Sequence, residues 1–282
     1  MSTFPAVKEI LSRARSEGYA VGAFNIFDYL SAKAAIDAAN EAKTPIILQT
    51  SVGTVKKFGP DPLFAMLDML RRYSPVPIFF HLDHCTDITY CKTCIDAGWD
   101  SVMLDMSEKP LEENITGSIE VREYAARKGV CVEGELGLVL GVEDDISSDV
   151  EKLANFEDSM KYLKESGVDI FAPAIGTAHG LYKNEVNLNF ELVRELAENT
   201  QVPIVIHGGT GLTDSQFSRL IKNGASKINV STALKYAYID GLRNYWNSHQ
   251  DEYNPIKLNN AAEASVKQVV LEHIRRFRPD MQ

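Results

Sequence analysis

The chain has 282 residues, 45% of them hydrophobic and 24% charged, which is ample apolar material for a sizeable core. A net charge of −10 disfavours a nucleic-acid partner, because binding an extended phosphate backbone needs a basic face; a small anion in a locally positive pocket stays open. No run of about 18 apolar residues occurs, so no membrane span or membrane partner is expected, and the opening stretch lacks the pattern of a secretory leader, so a cytoplasmic location is expected.

In chain order, short β-branched runs alternate with amphipathic segments. The runs are AVGAFN (20–25), PIILQT (45–50), PIFFHLD (77–83), SVMLD (101–105), VCVEGELG (130–137), IFAPAIG (170–176), PIVIHGG (203–209) and SKINVST (226–232). They are nearly continuous in apolar character, as expected of parallel strands covered on both faces. Helical segments follow at 29–43, 60–73, 110–129, 189–200 and 213–224. Pro60 and Pro110 suit first turns, Thr213 or Asp214 suits an N-cap, and Gly224 suits the position just past a helix end. Eight strand–helix repeats predict a (β/α)8 TIM barrel in a single domain over 1–282, with extra C-terminal helices at 233–249 and 261–277 that cover the barrel or build a subunit interface. A doubly wound sheet would need a glycine fingerprint, and Gly22 stands alone. The four cysteines are expected as free thiols, with Cys91 and Cys94 half-buried in a helix rather than on a metal.

In such barrels the reactive groups stand at the C-terminal ends of the strands. Those ends carry Asn25, Asp83 and His84, Asp105, Glu133 and Glu135, His179 in GTAHG, His207 in HGGTG, and NVST. Three of the six histidines, His84, His179 and His207, fall at strand ends, which predicts a zinc-type site with an open fourth position. Asp105 and Glu135 are then ligands or carboxylates behind the ligands, against the plainer reading that they cap loops or pair with rim cations. Asp83 reads as a general acid/base or as a carboxylate orienting a histidine. Positions 81 and 83 share a strand face and 84 points away if the strand stays regular, so His81 reads as structural; His249 and His273 read as surface residues. The glycines of HGGTG, and NVST before the next helix, expose backbone N–H groups where barrels bind phosphate.

With these motifs on the page, the chain resembles the class II, metal-dependent ketose-bisphosphate aldolases. GAFNIFD, HLDHC, VEGELG, GVEDD, AIGTAHGLY, HGGTGL and KINVSTALK appear in order at the expected strands. The resemblance implies a divalent metal, usually Zn2+, on His84, His179 and His207, with Asp105 and Glu135 at a second or resting position. It implies Asp83 as acid/base at the substrate's C4 hydroxyl and Glu143 as a proton carrier at the dihydroxyacetone phosphate carbon. Gly180, Gly208, Gly209, Thr210, Asn229, Val230, Ser231 and Thr232 would hold dihydroxyacetone phosphate, with Asn25 beside them and a monovalent cation (Na+ or K+) near the phosphate. It further implies a small-molecule sugar phosphate as substrate and a homodimer or homotetramer. The chain departs from the family pattern at Leu140, where a glycine is usual, and at Met106 and Glu108. The stretch at 50–59 is not distinctive of either bisphosphate, and Arg275, Arg276 and Arg278 are candidate anion binders. Fructose or tagatose 1,6-bisphosphate is the expected substrate. Another ketose 1-phosphate (a deoxy-keto-gluconate phosphate or a sulfonated sugar phosphate), a Schiff-base aldolase and a non-catalytic sugar-phosphate-binding barrel are the alternatives.

Overall fold

The computed structural model describes residues 6–143, 146–148, 152–180 and 187–279; for Leu140, Val142, Glu143, Ile146–Ser148 and His179 it describes the backbone alone. The strands are β1 (Val21–Asn25), β2 (Ile46–Ser51), β3 (Ile78–Cys85), β4 (Ser101–Leu104), β5 (Cys131–Leu136), β6 (Leu140–Glu143), β7 (Ile146–Ser148), β8 (Ile170–Pro173), β9 (Ala178–His179), β10 (Ile204–Ile206) and β11 (Ala225–Val230). The helices are α1 (Val7–Glu17), α2 (Tyr29–Ala42), α3 (Val52–Phe58), α4 (Pro60–Arg71), α5 (Ile88–Ala97), α6 (Leu111–Ala126), α7 (Phe156–Ser166), α8 (Phe190–Asn199), α9 (Asp214–Lys222), α10 (Thr232–Ser248) and α11 (Pro255–Phe277).

Eight parallel strands close into a barrel in the order β1-β11-β10-β8-β5-β4-β3-β2. The expected TIM barrel is therefore observed, and its strands begin and end close to the expected apolar runs. Alternation along each strand sorts the side chains. Phe24, Leu48, Phe80, Val132, Phe171 and Ile228 belong to the core under the surrounding helices. Ala23, Ile47, Phe79, Cys131, Ile170 and Val205 form a second cluster with Val7, Ile10 and Leu11 of α1. The barrel interior is thus apolar toward its N-terminal end and sealed there by α1. Above this floor, Asn25, Gln49, His81, Glu133 and Lys227 are fully or nearly fully buried.

Local chemistry sets the helix starts. Asp28 accepts from Ser31 N, Asp87 from Thr89 and Tyr90 N, and Asn155 from Asp158 N. Thr213 rather than Asp214 is the N-cap of α9, in a capping box with Gln216. After β11, α10 runs out and α11 returns across α10 and α2. Cys91 and Cys94 are wholly buried in α5 rather than half-buried, and all four cysteines are free. His273 corrects the surface expectation: it is buried against Phe217 and Phe277, with Nδ1 2.8 Å from the Val269 carbonyl. No helix among the described residues is long and apolar enough to cross a membrane.

The segment after β5 contains β6 and β7, which pair antiparallel, while β6 pairs in parallel with β9. These strands are two to four residues long and carry no apolar run, so periodicity does not reveal them. Gly141 holds the left-handed φ of +104° there, whereas Leu140 is an ordinary strand residue paired with Ala178. The departure from glycine at 140 therefore falls where the backbone does not need one.

Candidate active site

The C-terminal end of β3 is irregular. His84 has φ +45°, and the register against β4 shifts between Leu82 and Cys85. A non-glycine residue in this region costs on the order of 1 kcal/mol or more, and it marks a bulge that turns a side chain. The turn brings Asp83 and His84, adjacent in sequence, to the same mouth. Both are buried, and each has a ligand atom within 4.8 Å of the other and of one on His207. His81 lies deeper, with Nδ1 2.8 Å from Ser101 Oγ and Nε2 3.6 Å from Glu133. Its position below the mouth fits the structural reading.

A line of close polar contacts crosses the barrel. Asp105 Oδ2 lies 2.9 Å from His84 Nδ1, His84 Nε2 lies 2.9 Å from His207 Nδ1, and His207 Nε2 lies 2.9 Å from Glu133 Oε1. Glu133 Oε2 accepts a 2.8 Å bond from Lys227 Nζ, and both side chains are wholly buried. Asp105 and Glu133 thus fix the outer nitrogen of each ring as its donor. Both facing nitrogens are left as acceptors, and two acceptors 2.9 Å apart require a proton or a cation between them.

The charges agree. Burial lowers the His84 pKa, but Asp83, the Asp105 bond and Glu135 hold it well above the ordinary imidazole value. Burial keeps His207 below that value. Burial opposes ionisation of Asp105, yet the His84 bond holds its carboxyl well below the usual range. Glu133 is likewise depressed, against burial, by Lys227 and the histidines. Burial and the Asp105 charge push Glu135 well above the usual range, and its Oε2 has no hydrogen-bond partner among the described residues. Four acidic side chains, Asp83, Asp105, Glu133 and Glu135, are buried around the two histidines, and among the described residues the buried Lys227 pairs with Glu133. His84, Asp105 and Glu135 form a second group of metal-capable donors, and this donor set fits a divalent cation.

Asp83 is held from two sides. Asn25 Nδ2 donates to Oδ2 at 2.8 Å and Asn229 Nδ2 to Oδ1 at 3.4 Å, while Gln49 Nε2 donates to Asn25 Oδ1 at 2.8 Å. Next to it, Gly180, Gly208, Gly209, Thr210, Asn229, Ser231 and Thr232 line a small concavity. Ser231 Oγ is buried without a partner among the described residues, and the start of the 17-residue α10 closes one side. Seven expected contact residues therefore meet in one place. Val230, the exception, is buried and pairs with Phe24 in the barrel wall.

A Cβ at Gly209 would sit 2.5 Å from the Asn229 carbonyl. Gly209→Ala is expected to displace that carbonyl and raise KM for a phosphorylated substrate at least about tenfold, measured by steady-state kinetics.

The side chains of His179 and Glu143 lie outside the described part, and the backbones of β6 and β9 place Gly141 opposite His179. Arg278 donates to Thr44 and lies over the Tyr19 ring, both preceding their strands, so it stands at the opposite end of the barrel from this site. Arg276 pairs with Asp214. Sequence reasoning gave no role to Lys227 or Gln49. Lysine inside the apolar run of β11 was the available signal, since a buried cation needs a buried partner.

The sequence model of the family described as class II fructose-bisphosphate aldolase matches residues 5–280. The chain belongs to that family. It is a class II aldolase, a lyase. It is 37% identical over 275 residues to the fructose-bisphosphate aldolase of Staphylococcus aureus, covering 96% of each chain. It is also 37% identical over 277 residues to that of Geobacillus stearothermophilus, again with 96% of each covered. Among solved structures, the YdjI aldolase of Escherichia coli superposes with a TM-score of 0.85 at 28% identity, with 96% of each chain covered.

Proposed function

We propose that this aldolase reversibly cleaves a ketose 1,6-bisphosphate, fructose or tagatose, into dihydroxyacetone phosphate and glyceraldehyde 3-phosphate, with zinc as its metal. The observation that carries the reading is the facing pair His84 and His207, backed by Asp105 and Glu133, beside the concavity lined by glycines, Thr210, Ser231 and Thr232. His84 and His207 hold the cation together with His179, the third histidine of the family motif. Bound there, it supplies Lewis-acid polarisation of the substrate's C2 carbonyl.

The chain's own groups do the rest. Thr210, Ser231, Thr232 and the glycines hold the phosphate of the ketone half, with the α10 N-terminus favouring its charge. Asp83, oriented by Asn25 and Asn229, takes the C4 hydroxyl proton as C3–C4 breaks and returns it in condensation. Glu143, on the strand beside β9, moves the proton at the dihydroxyacetone phosphate carbon. A Schiff-base route is disfavoured because Lys227, the buried lysine among the described residues, is engaged by Glu133.

The test is a panel of ketose phosphates assayed by coupled detection of dihydroxyacetone phosphate. Release from one bisphosphate, abolished by a chelator and restored by Zn2+, is expected. Turnover that survives chelation and is trapped by borohydride would overturn the metal reading. Turnover confined to a monophosphate or sulfonated sugar would overturn the substrate.

A further inference from the structure

We propose that Cys85 and Cys91 form a peroxide-responsive pair, whose oxidation to a disulfide draws the end of β3 away from the metal site and reversibly releases the metal. The aldol chemistry leaves both thiols without a task. Both lie in the core layer that β3 and α5 share, at 1% and 0% exposure.

Several contacts bring the two side chains together. Cys85 Sγ donates to the Asp87 carbonyl at 3.3 Å, and the Cys91 amide donates to that same oxygen at 2.9 Å. Cys91 Sγ lies 3.7 Å from the Met103 carbonyl, while Cys85 pairs with Leu104, the next residue of β4. The two thiols are near enough to hydrogen-bond each other. Cys91 is one turn into α5, and its Cβ tilts back toward the helix start, where Cys85 stands. Cys94 is a poorer partner for Cys91: residues three apart on a helix have Cβ atoms about 5–6 Å apart, against about 3.8 Å in a disulfide.

The oxidation balances. The Cys85 sulfur attacks one oxygen of hydrogen peroxide, the O–O bond breaks, and the leaving hydroxide takes the thiol proton as water. The Cys91 sulfur then displaces the hydroxyl of the sulfenic acid so formed. The S–S bond forms, the S–O bond breaks, and a second water leaves with the Cys91 proton. Two thiols lose two electrons, and one peroxide becomes two waters. Cys85 reacts first because Thr86 and Asp87 after it are exposed, which puts it just under the surface, whereas Cys91 is enclosed.

Residue 85 is joined to the site in two ways. It follows His84, and its carbonyl accepts from Asp105 N at 2.8 Å. A disulfide holds its sulfurs at about 2.05 Å, well inside the contact distance of two thiols. Closing that gap pulls residue 85 toward α5, and with it the bulge that aims His84 and the backbone of Asp105. The release rests on the metal reading above, and the cross-link does not.

Reduced, zinc-loaded protein treated with hydrogen peroxide, then denatured, alkylated and digested with trypsin, provides the test. Residues 73–92 form one tryptic peptide that holds Cys85 and Cys91, and Cys94 falls in the next. The 73–92 peptide is expected to be lighter by two hydrogen atoms and free of alkyl groups, with Cys94 and Cys131 alkylated. Competition with a chromogenic chelator is expected to show zinc affinity lowered about tenfold or more, and restored by dithiothreitol. Cys91→Ala is expected to keep basal activity, form no link and hold zinc unchanged at the peroxide dose that cross-links the wild type; Cys94→Ala is expected to cross-link as the wild type does. Cys85 and Cys91 both alkylated after peroxide, a link through Cys94, or a cross-linked protein that holds zinc as the reduced one does would each overturn the proposal. Failure of the metal reading shows separately, as reduced protein that takes up no zinc, and would overturn the release with it.

Discussion

Replacing Asp83 with alanine is expected to lower kcat by about 10²- to 10⁴-fold while bound metal stays at the wild-type level. Asp83 Oδ1 and Oδ2 receive Asn229 and Asn25, so the carboxylate is fixed by amides on β11 and β1. The ring nitrogens of His84 and His207, by contrast, face each other and are backed by Asp105 and Glu133. The proton-moving group and the cation-holding groups therefore rest on separate supports. Turnover and metal content measured on the same preparation check this. Loss of metal in Asp83→Ala would make Asp83 a ligand, as its place within 4.8 Å of both histidines permits.

Lys227→Met is expected to destabilise the protein by about 3–5 kcal/mol, because it leaves the Glu133 carboxylate buried without its cation. At roughly 2–4 °C per kcal/mol the melting temperature falls by about 6–20 °C. The double variant Lys227→Met/Glu133→Gln removes both charges, and the amide oxygen still accepts from His207. It is expected to recover more than half of the loss. Thermal unfolding of the three proteins, stripped of metal, reads the difference; a single variant within about 1 kcal/mol of wild type would show that the pair does not carry this weight. The pH dependence has a definite sign. Glu133 and Asp105 are depressed in the folded state, so their stabilisation is present above the ordinary carboxylate range and is lost as pH falls through their lowered values.

The barrel was legible because its strands are buried on both faces and so read as unbroken apolar runs, which flanking Gly, Pro and helix caps delimit. The strands β6, β7 and β9 were not, since a pairing of two to four residues depends on partners distant in sequence. For the site, asking which polar residue ends each strand found Asp83, His84, His207 and the phosphate cradle. It gave no role to Lys227 or Gln49, which lie within strands rather than at their ends. Strict alternation would have turned His84 away from Asp83, and the bulge that brings the two together is not legible in the sequence. His81 was placed correctly by the same alternation, one step before the irregularity begins.

The kink at His84 ties the backbone placement of two side chains whose roles are otherwise separate. A regular strand would turn residue 83 inward and residue 84 outward, giving the pocket a proton acceptor with no adjoining ligand, or the reverse after a one-residue slip. With φ at +45° both point into the pocket, and neither arrangement can be reached by small steps from the other. Any change that straightens residues 82–85 therefore removes ligation and proton transfer in one event. A change of backbone in this segment therefore costs both functions together, whereas a change of side chain such as Asp83→Ala costs one alone.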